Sequence, residues 1–122
     1  MIPQNQNHIP IMYLDATNLY GHSMSQCLPV SDFSWLSPEE LKTFETLDFM
    51  SIADDADYGY VFEVDINYPK SLHEKHNDLP FLAENICVPD SKQSKLICNL
   101  NKKEKYVIHY RNLKQAVKNG LK

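Results

Sequence analysis

The chain has 122 residues, of which 43% are hydrophobic and 23% charged, with a net charge of −4. This length suits one domain with a core rather than two. No stretch approaches the roughly 20 apolar residues of a membrane span, and the N-terminus lacks the basic and apolar regions of a secretory signal. We therefore expect an intracellular protein that is not secreted and has no membrane partner. Three widely spaced cysteines, without a C-x-x-C pair, favour neither a disulfide framework nor a zinc site.

Elements in the first half of the chain are predicted from apolar runs and capping residues. Ile9–Asp15 is a short apolar run that favours a buried strand. Thr17 or Asn18 is expected to cap a short helix that continues to about Gln26. A second helix is predicted from Ser37-Pro38-Glu39-Glu40, which has an N-cap serine, a proline at the first helical position and a capping-box glutamate. The acidic cluster at residues 54–57 is typical of a turn.

The second half mixes strands and helices. Residues 58–68 alternate apolar and polar, which predicts a strand with one buried face. A short helix is expected over residues 70–77, a loop over 78–94, and short strands over 95–98 and 105–109 around a polar turn. A last helix begins at about Tyr110, with Gly120 as its C-cap. The pattern as a whole predicts an α+β fold.

Asp15 is the first candidate for chemistry, within the sequence Tyr13-Leu-Asp-Ala-Thr-Asn-Leu-Tyr-Gly21. A carboxylate between a strand and a helix can hold a divalent cation beside the N–H groups that begin the helix, where phosphates also bind. Such an arrangement suits phosphoryl transfer. The alternative from spacing alone is that Asp15 is merely a helix N-cap, since such junctions are common.

Four blocks in the same order resemble the protein-primed branch of family B DNA polymerases, found in viruses, linear plasmids and large DNA transposons. The first is Asp15-x-x-x-Leu-Tyr within residues 13–29, which is similar to the first polymerase motif. The others are Gly-Tyr-Val-Phe-Glu-Val-Asp-Ile-Asn-Tyr-Pro (59–69), Leu-His (72–73) with His-Asn-Asp-Leu-Pro (76–80), and residues 99–114. The resemblance covers nearly the whole chain from about residue 9.

The resemblance implies a role for each residue of the first motif. Asp15 would ligate two catalytic Mg²⁺ ions, and the Ala16 carbonyl would ligate the ion that accompanies the nucleotide. Asn18 and the backbone N–H groups of Leu19 and Tyr20 would face the deoxynucleoside triphosphate. Tyr20 would also lie under the sugar as a steric gate that excludes a ribose 2′-hydroxyl; from its residue type alone, it could equally be an aromatic core residue.

The resemblance also divides the chain. Residues 1–28 would be part of a palm, as a strand–helix unit, and residues 29–122 would be the mixed strand and helix insertion of protein-primed polymerases, which contacts template–primer DNA and a terminal priming protein. His22 departs from the family, where tryptophan is most often found, but it lies outside the expected catalytic contacts. A transposon origin would imply a nuclear location.

Basic residues near the C-terminus fit a DNA contact. Residues 92–122 hold nine Lys or Arg and one acid, a local charge of +8, whereas residues 1–91 hold three bases and fifteen acids, a local charge of −12. This asymmetry predicts contact with a polyanion at one end. A solvated basic helix face remains the alternative. The candidate phosphate contacts are Lys102, Lys103, Lys105, Arg111, Lys114 and Lys118.

Other constellations are weaker. His73 and His76 have the spacing of metal ligands but no third ligand is evident, so we interpret them as surface residues. We interpret Glu63 and Asp65 as residues on the solvent-exposed face of a strand and not as an acid–base pair. The Asp-Thr-Asp and lysine-helix motifs of these polymerases do not occur in the 122 residues. We therefore expect a polymerase fragment that is inactive alone, a non-enzymatic remnant that binds DNA or a priming protein, or a folded relic without a partner.

Overall fold

The computed structural model describes residues 12–46, 48–89 and 91–122. The fold is α+β, as predicted from the sequence. Two compact units are present, the first ending at Val30 and the second comprising Ser31–Lys122. This division lies close to the predicted boundary after residue 28. Among the described residues, no helix has both the length and the apolar character needed to cross a bilayer.

In the described part of the first unit, residues 12–30, Asn18 caps the short helix α1 (Leu19–Met24), as predicted. The prediction of a buried strand over Ile9–Asp15 is wrong for its described part. Residues 12–16 have no regular structure, and Met12, Tyr13 and Leu14 are 78–90% exposed. A strand needs a neighbour that completes its hydrogen bonds, and no described strand pairs with this segment. Residues 9–11 lie outside the described part.

The second unit begins with α2 (Pro38–Phe44), which has the predicted capping box. The Glu40 backbone N–H donates to Ser37 Oγ at 3.3 Å, and the Ser37 backbone N–H donates to Glu40 Oε2 at 2.8 Å. The bond from the Ser37 backbone N–H, with a further contribution from the Ser37 side chain, stabilises the ionised carboxylate, so the pKa of Glu40 lies below its ordinary value. A 3₁₀ turn follows at Phe49–Ser51, and the acidic cluster after it is a turn, as expected.

Two antiparallel strands, β1 (Val61–Ile66) and β4 (Lys103–His109), form the main sheet. The predicted alternation holds in β1, where Phe62, Val64 and Ile66 are turned inward and Glu63 is exposed. Val64 pairs with Tyr106, but Ile66 pairs with Lys103 instead of Glu104, so the register shifts by one residue between Val64 and Ile66. This bulge changes which side chains of β4 face inward, because a shift of one residue reverses the faces of a strand.

A second sheet joins β2 (Glu84–Cys87) to β3 (Ser94–Ile97) as an antiparallel hairpin. The prediction of a loop over residues 78–94 is therefore wrong at residues 84–87. The segment Glu84-Asn-Ile-Cys carries few strand-favouring residues, and tertiary contact determines it instead. Between β1 and β2 lie a 3₁₀ turn (Lys70–Leu72) and α3 (His73–His76), which confirm the predicted short helix.

The last helix, α4 (Tyr110–Lys118), packs against the main sheet and closes the core. Gly120 has the left-handed φ of +97° expected of a residue that ends a helix. Beyond the helix, Asn67 and Lys122 exchange backbone hydrogen bonds of 2.5 and 3.1 Å, which fix the end of β1. The core consists of Ile66, Tyr68, Ile108, Leu113, Ala116 and Leu121.

Candidate functional site

Asp15 and the residues after it form the first candidate site, in the first unit. Asp15, Ala16, Asn18, Leu19 and Tyr20 are all exposed. Tyr20 is 82% exposed, so the alternative of an aromatic core residue is wrong within this unit. The residues that the resemblance assigns to the metal ions and the nucleotide therefore lie on one accessible stretch, residues 15–20.

Asn18 determines the local geometry of this segment. It adopts the left-handed conformation (φ 56°, ψ 50°), which asparagine tolerates better than most residues. The Gly21 N–H donates to its Oδ1 at 3.2 Å, and the His22 N–H donates to its backbone oxygen at 3.0 Å. The N–H groups of Leu19 and Tyr20 stand at the start of the helix, where an α-helix provides no internal acceptor.

Sequence reasoning overlooked Gly21 as a requirement of this turn. A Cβ at Gly21 would overlap the carboxamide of Asn18, so any larger residue would displace the cap. The signal was present in the sequence, because glycine three residues after a capping asparagine leaves room for that side chain.

One carboxylate does not make a magnesium site. In the part of the chain that the structure describes, no three His, Cys, Asp or Glu side chains lie close enough together to hold a metal ion. Mg²⁺ usually combines one or two carboxylates with water and substrate phosphates. Asp15 and the Ala16 carbonyl could therefore supply only part of such a site.

The six predicted phosphate contacts divide into two groups. Lys103 is fully buried, as the bulge in β4 turns it inward. Its Nζ donates to Glu84 Oε2 at 2.6 Å and to the Asn99 side chain at 2.5 Å. The hydrogen bond from Lys103 holds the pKa of Glu84 below its ordinary value. Lys103 joins the hairpin to the main sheet and is not presented to a ligand.

The ammonium group of Lys114 also has partners within the protein. Its Nζ donates to the Ile52 carbonyl at 2.5 Å and to Asp54 Oδ1 at 2.8 Å, and the side chain is 9% exposed. The Tyr110 hydroxyl donates to the neighbouring Ala53 carbonyl at 2.7 Å. Lys114 and Tyr110 therefore attach the acidic turn to α4. The bond from Lys114 lowers the pKa of Asp54.

The other four cations remain accessible. Lys102, Lys105 and Lys118 are exposed, and Arg111 is partly exposed. Lys102 pairs with Glu104 at 3.1 Å, and Arg111 Nε lies 4.0 Å from Asp54. The predicted DNA surface is thus smaller than the sequence suggested, and Arg111 and Lys118 are its two members on α4.

His109 begins α4 and is a polar group that sequence reasoning did not select. Its Nδ1 accepts the Arg111 N–H at 3.4 Å, and its ring lies 4.6 Å from that of Tyr110. Burial lowers the pKa of His109, and the positive charge of Arg111 lowers it further. The neutral ring is the form that can accept this hydrogen bond.

The weaker constellations have structural explanations. The buried His76 shares a 2.8 Å hydrogen bond between its Nδ1 and the Tyr68 hydroxyl, and His73 Nε2 lies 3.1 Å from the Tyr68 carbonyl oxygen. Burial of His76 contradicts the interpretation of both histidines as surface residues. Glu63 and Asp65 are exposed, as expected, and Asp65 accepts the Lys105 backbone N–H at 2.9 Å.

No protein-family model, curated protein or solved structure matches the chain.

Proposed function

We propose that this chain is a fragment of a DNA-directed DNA polymerase of the protein-primed family B type. The complete enzyme would add deoxynucleotides to a primer by two-metal phosphoryl transfer. The observation that carries this proposal is the segment from Asp15 to Tyr20, which is similar to the first polymerase motif. Residues 1–28 would be part of the palm, and residues 29–122 would be the insertion.

The local structure supports the proposed roles of this segment. The Asp15 side chain is exposed, and the left-handed Asn18 directs the chain into α1. Leu19 and Tyr20 place two backbone N–H groups at the helix start, suited to triphosphate oxygens. The exposed Tyr20 ring is available to pack against a deoxyribose and to clash with a 2′-hydroxyl.

The fragment has only part of the catalytic groups. Two Mg²⁺ ions would need ligands from other segments and from the substrate, because Asp15 supplies a single carboxylate. We therefore expect no incorporation by the purified 122-residue chain in a primer-extension assay with Mg²⁺. Any extension that Asp15→Asn abolishes would contradict the proposed inactivity, although it would support the assignment of Asp15.

Nucleotide binding tests the proposal without requiring catalysis. In a ¹⁵N-labelled chain titrated with Mg²⁺–dTTP, we expect chemical-shift changes at the amides of residues 16–20. Asp15→Asn should remove them, whereas Glu63→Gln, which alters an exposed carboxylate on β1 in the second unit, should leave them unchanged. If the shifts occur only at the basic residues of α4, or if Asp15→Asn has no effect, the proposal fails.

A second candidate function is a non-enzymatic remnant that binds DNA or a priming protein through α4. The partly exposed Arg111 and the exposed Lys118, in a helix with no acidic residue, favour it. Binding of template–primer DNA should weaken steeply with salt. The double change of Arg111 and Lys118 to alanine should remove most of that dependence. Absence of binding at low salt would rule this function out.

A further inference from the structure

The exposed side of α4 separates two kinds of polar side chain. Successive residues of an α-helix are about 100° apart. Around the exposed arc, this spacing orders the side chains as two cations followed by three amides, while Tyr110, Leu113 and Ala116 face the core. In order around this arc, the side chains are those of Lys118, Arg111, Gln115, Asn119 and Asn112. One edge of the helix is therefore positively charged, and the other is neutral but rich in donors and acceptors.

The charged edge borders a shallow depression of about 280 Å³. The depression is lined by the cations Arg111, Lys114 and Lys118, by Asp54, and by the amides Asn112, Gln115 and Asn119. Lys114 Nζ lies 2.8 Å and Arg111 Nε 4.0 Å from the carboxylate of Asp54, and three cations beside this one carboxylate leave the edge with a net positive charge. The separation of Arg111 and Lys118 by seven residues corresponds to roughly 10 Å along the helix axis. Such a pair suits a track of successive phosphates.

The amide edge borders a larger groove of about 380 Å³, between α4, strand β4 and residues 81–83. Asn112 and Gln115 form one wall, and the other walls include Phe81, Tyr106 and His109. The Tyr106 hydroxyl donates to the Ala83 carbonyl at 2.8 Å, which fixes the floor of the groove. Its volume falls within the roughly 300–1,000 Å³ range of small-molecule sites.

The outer edge of β4 adds backbone groups to this groove. The Tyr110 N–H donates to the Tyr60 carbonyl at 2.9 Å, and the pairing continues with Phe62 opposite Ile108. In an antiparallel pair, hydrogen-bonded positions alternate with positions whose N–H and C=O point away from the partner. The N–H and C=O of Val107 therefore point away from β1, toward the side on which the groove lies.

We propose that this face of α4 binds single-stranded DNA, with phosphates along Arg111 and Lys118 and a base in the groove beside Asn112 and Gln115. A nucleobase presents donors and acceptors on its edge and an apolar face, and the groove offers amides, strand-edge backbone and aromatic rings. This inference rests on the proposed function in that it identifies the unpaired template, rather than the duplex, as the DNA that the insertion holds.

The acidic turn beside α4 favours a single strand over a duplex. Asp54 is 59% exposed in its side chain and lies next to the charged edge, and Asp55 follows it in the chain. Asp54 is paired with Lys114, so the uncompensated charge here is that of the exposed Asp55, and a duplex would bring phosphates of a second strand toward that carboxylate at a repulsive cost. Paired bases also cannot enter a groove, since their edges are hydrogen-bonded within the helix. A single strand avoids both problems.

Fluorescence anisotropy with three labelled probes tests this inference on the full chain. The probes are an oligo-dT of about 12 nucleotides, an abasic strand of equal length and a blunt duplex of equal length. We expect oligo-dT to bind about tenfold more tightly than the abasic strand, the effect of one base contact of about 1.4 kcal/mol. The duplex should bind more weakly than oligo-dT at the same salt concentration.

Matched variants assign the effect to the two edges. Asn112→Leu with Gln115→Leu should remove the preference for oligo-dT and leave abasic affinity unchanged, whereas Asn85→Leu, on the exposed surface of β2, should change neither. Arg111→Gln with Lys118→Gln should weaken both probes. Equal binding of oligo-dT and the abasic strand, tighter binding of the duplex, or a double leucine variant that behaves like Asn85→Leu would overturn the inference. The dTTP titration at residues 16–20 is independent of all three results.

Discussion

Replacement of Lys103 by methionine should destabilise the second unit more than any surface lysine change. Lys103 is the only fully buried cation among the described residues, and it joins β4 to the β2–β3 hairpin through Glu84 and Asn99. Methionine retains most of the apolar stem but removes the ammonium. The Glu84 carboxylate and the Asn99 oxygen would then lose their shared donor.

The loss of unfolding free energy in Lys103→Met depends on how well water can reach the Glu84 carboxylate that remains. Breaking a fully buried ion pair costs about 3–5 kcal/mol, because an unpaired charge is left without water. The Glu84 side chain is 26% exposed, so water can partly replace the lost ammonium. Hydrogen bonds to charged groups contribute roughly 1.5–3 kcal/mol. We therefore expect Lys103→Met to lower the free energy of unfolding by about 2 kcal/mol at neutral pH.

Urea unfolding followed by far-UV circular dichroism measures this change. Tryptophan fluorescence is unsuitable, because Trp35 is 99% exposed and its surroundings change little on unfolding. The folded-state pKa of Glu84 is lowered, so the stabilisation is present above the unfolded value of about 4.3 and is lost as the pH falls through the folded pKa. The difference between Lys103→Met and the original chain should accordingly shrink in acid.

The matched control is Lys95→Met, an exposed lysine on β3, which should change stability by less than about 0.5 kcal/mol. A double-mutant cycle with Glu84→Gln should give a coupling energy of roughly 1 kcal/mol or more. If Lys103→Met is no less stable than Lys95→Met, or if its effect does not depend on pH, the buried pair does not hold the hairpin to the sheet.

Three further predictions concern helix ends. Gly120→Ala should lower the free energy of unfolding by about 1 kcal/mol in urea titrations, because φ is +97° there and a Cβ is strained; an unchanged midpoint would contradict this. Gly21→Ala should speed amide exchange across α1 several-fold, since its Cβ displaces the Asn18 cap; unchanged exchange would refute that reasoning. The pKa of His109 is lowered in the folded protein, so its contribution to the free energy of unfolding is complete above about pH 6.5 and is lost as the pH falls through the folded pKa. Protonation of the ring then removes the acceptor for the Arg111 N–H. His109→Asn, which can cap without titrating, should flatten that part of the profile, and an unaltered slope would exclude His109 as its source.

Local signals predicted the helix ends well. The Ser37 capping box and Gly120 depend on residues within one turn of the position concerned, so the sequence contains the whole interaction. The alternation of β1 also survives in the fold, because a strand with one buried face needs that pattern wherever its partner lies.

Long-range contacts explain what the sequence did not predict. Lys103 was predicted to contact phosphate from a polar turn before the strand, but β4 already begins at Lys103, and the bulge between Val64 and Ile66 turns its side chain inward. Lys114 was placed in a basic stripe, yet Ile52 and Asp54, about sixty residues earlier, occupy its ammonium. Neither partner is visible in the local pattern.

The proposed role of Asp15 depends on resemblance to a family and not on local sequence pattern. Composition and spacing left Asp15 as either a metal ligand or a helix cap, and in the structure Asn18 is the cap instead. Asp15 therefore does not cap α1 in this structure. Its assignment to a polymerase depends on the resemblance of four blocks in order, which is why binding at this segment needs direct measurement.

Paramagnetic mapping with Mn²⁺ tests the central claim most directly. Mn²⁺ added at low concentration with dTTP should broaden the amide signals of residues 15–20, and Asp15→Asn should abolish that broadening. The amide signals of the buried Ile66 and Ile108 should stay sharp with or without nucleotide and serve as an internal reference. If residues 15–20 remain sharp in the presence of dTTP, or broaden equally in Asp15→Asn, this segment is not a polymerase nucleotide site.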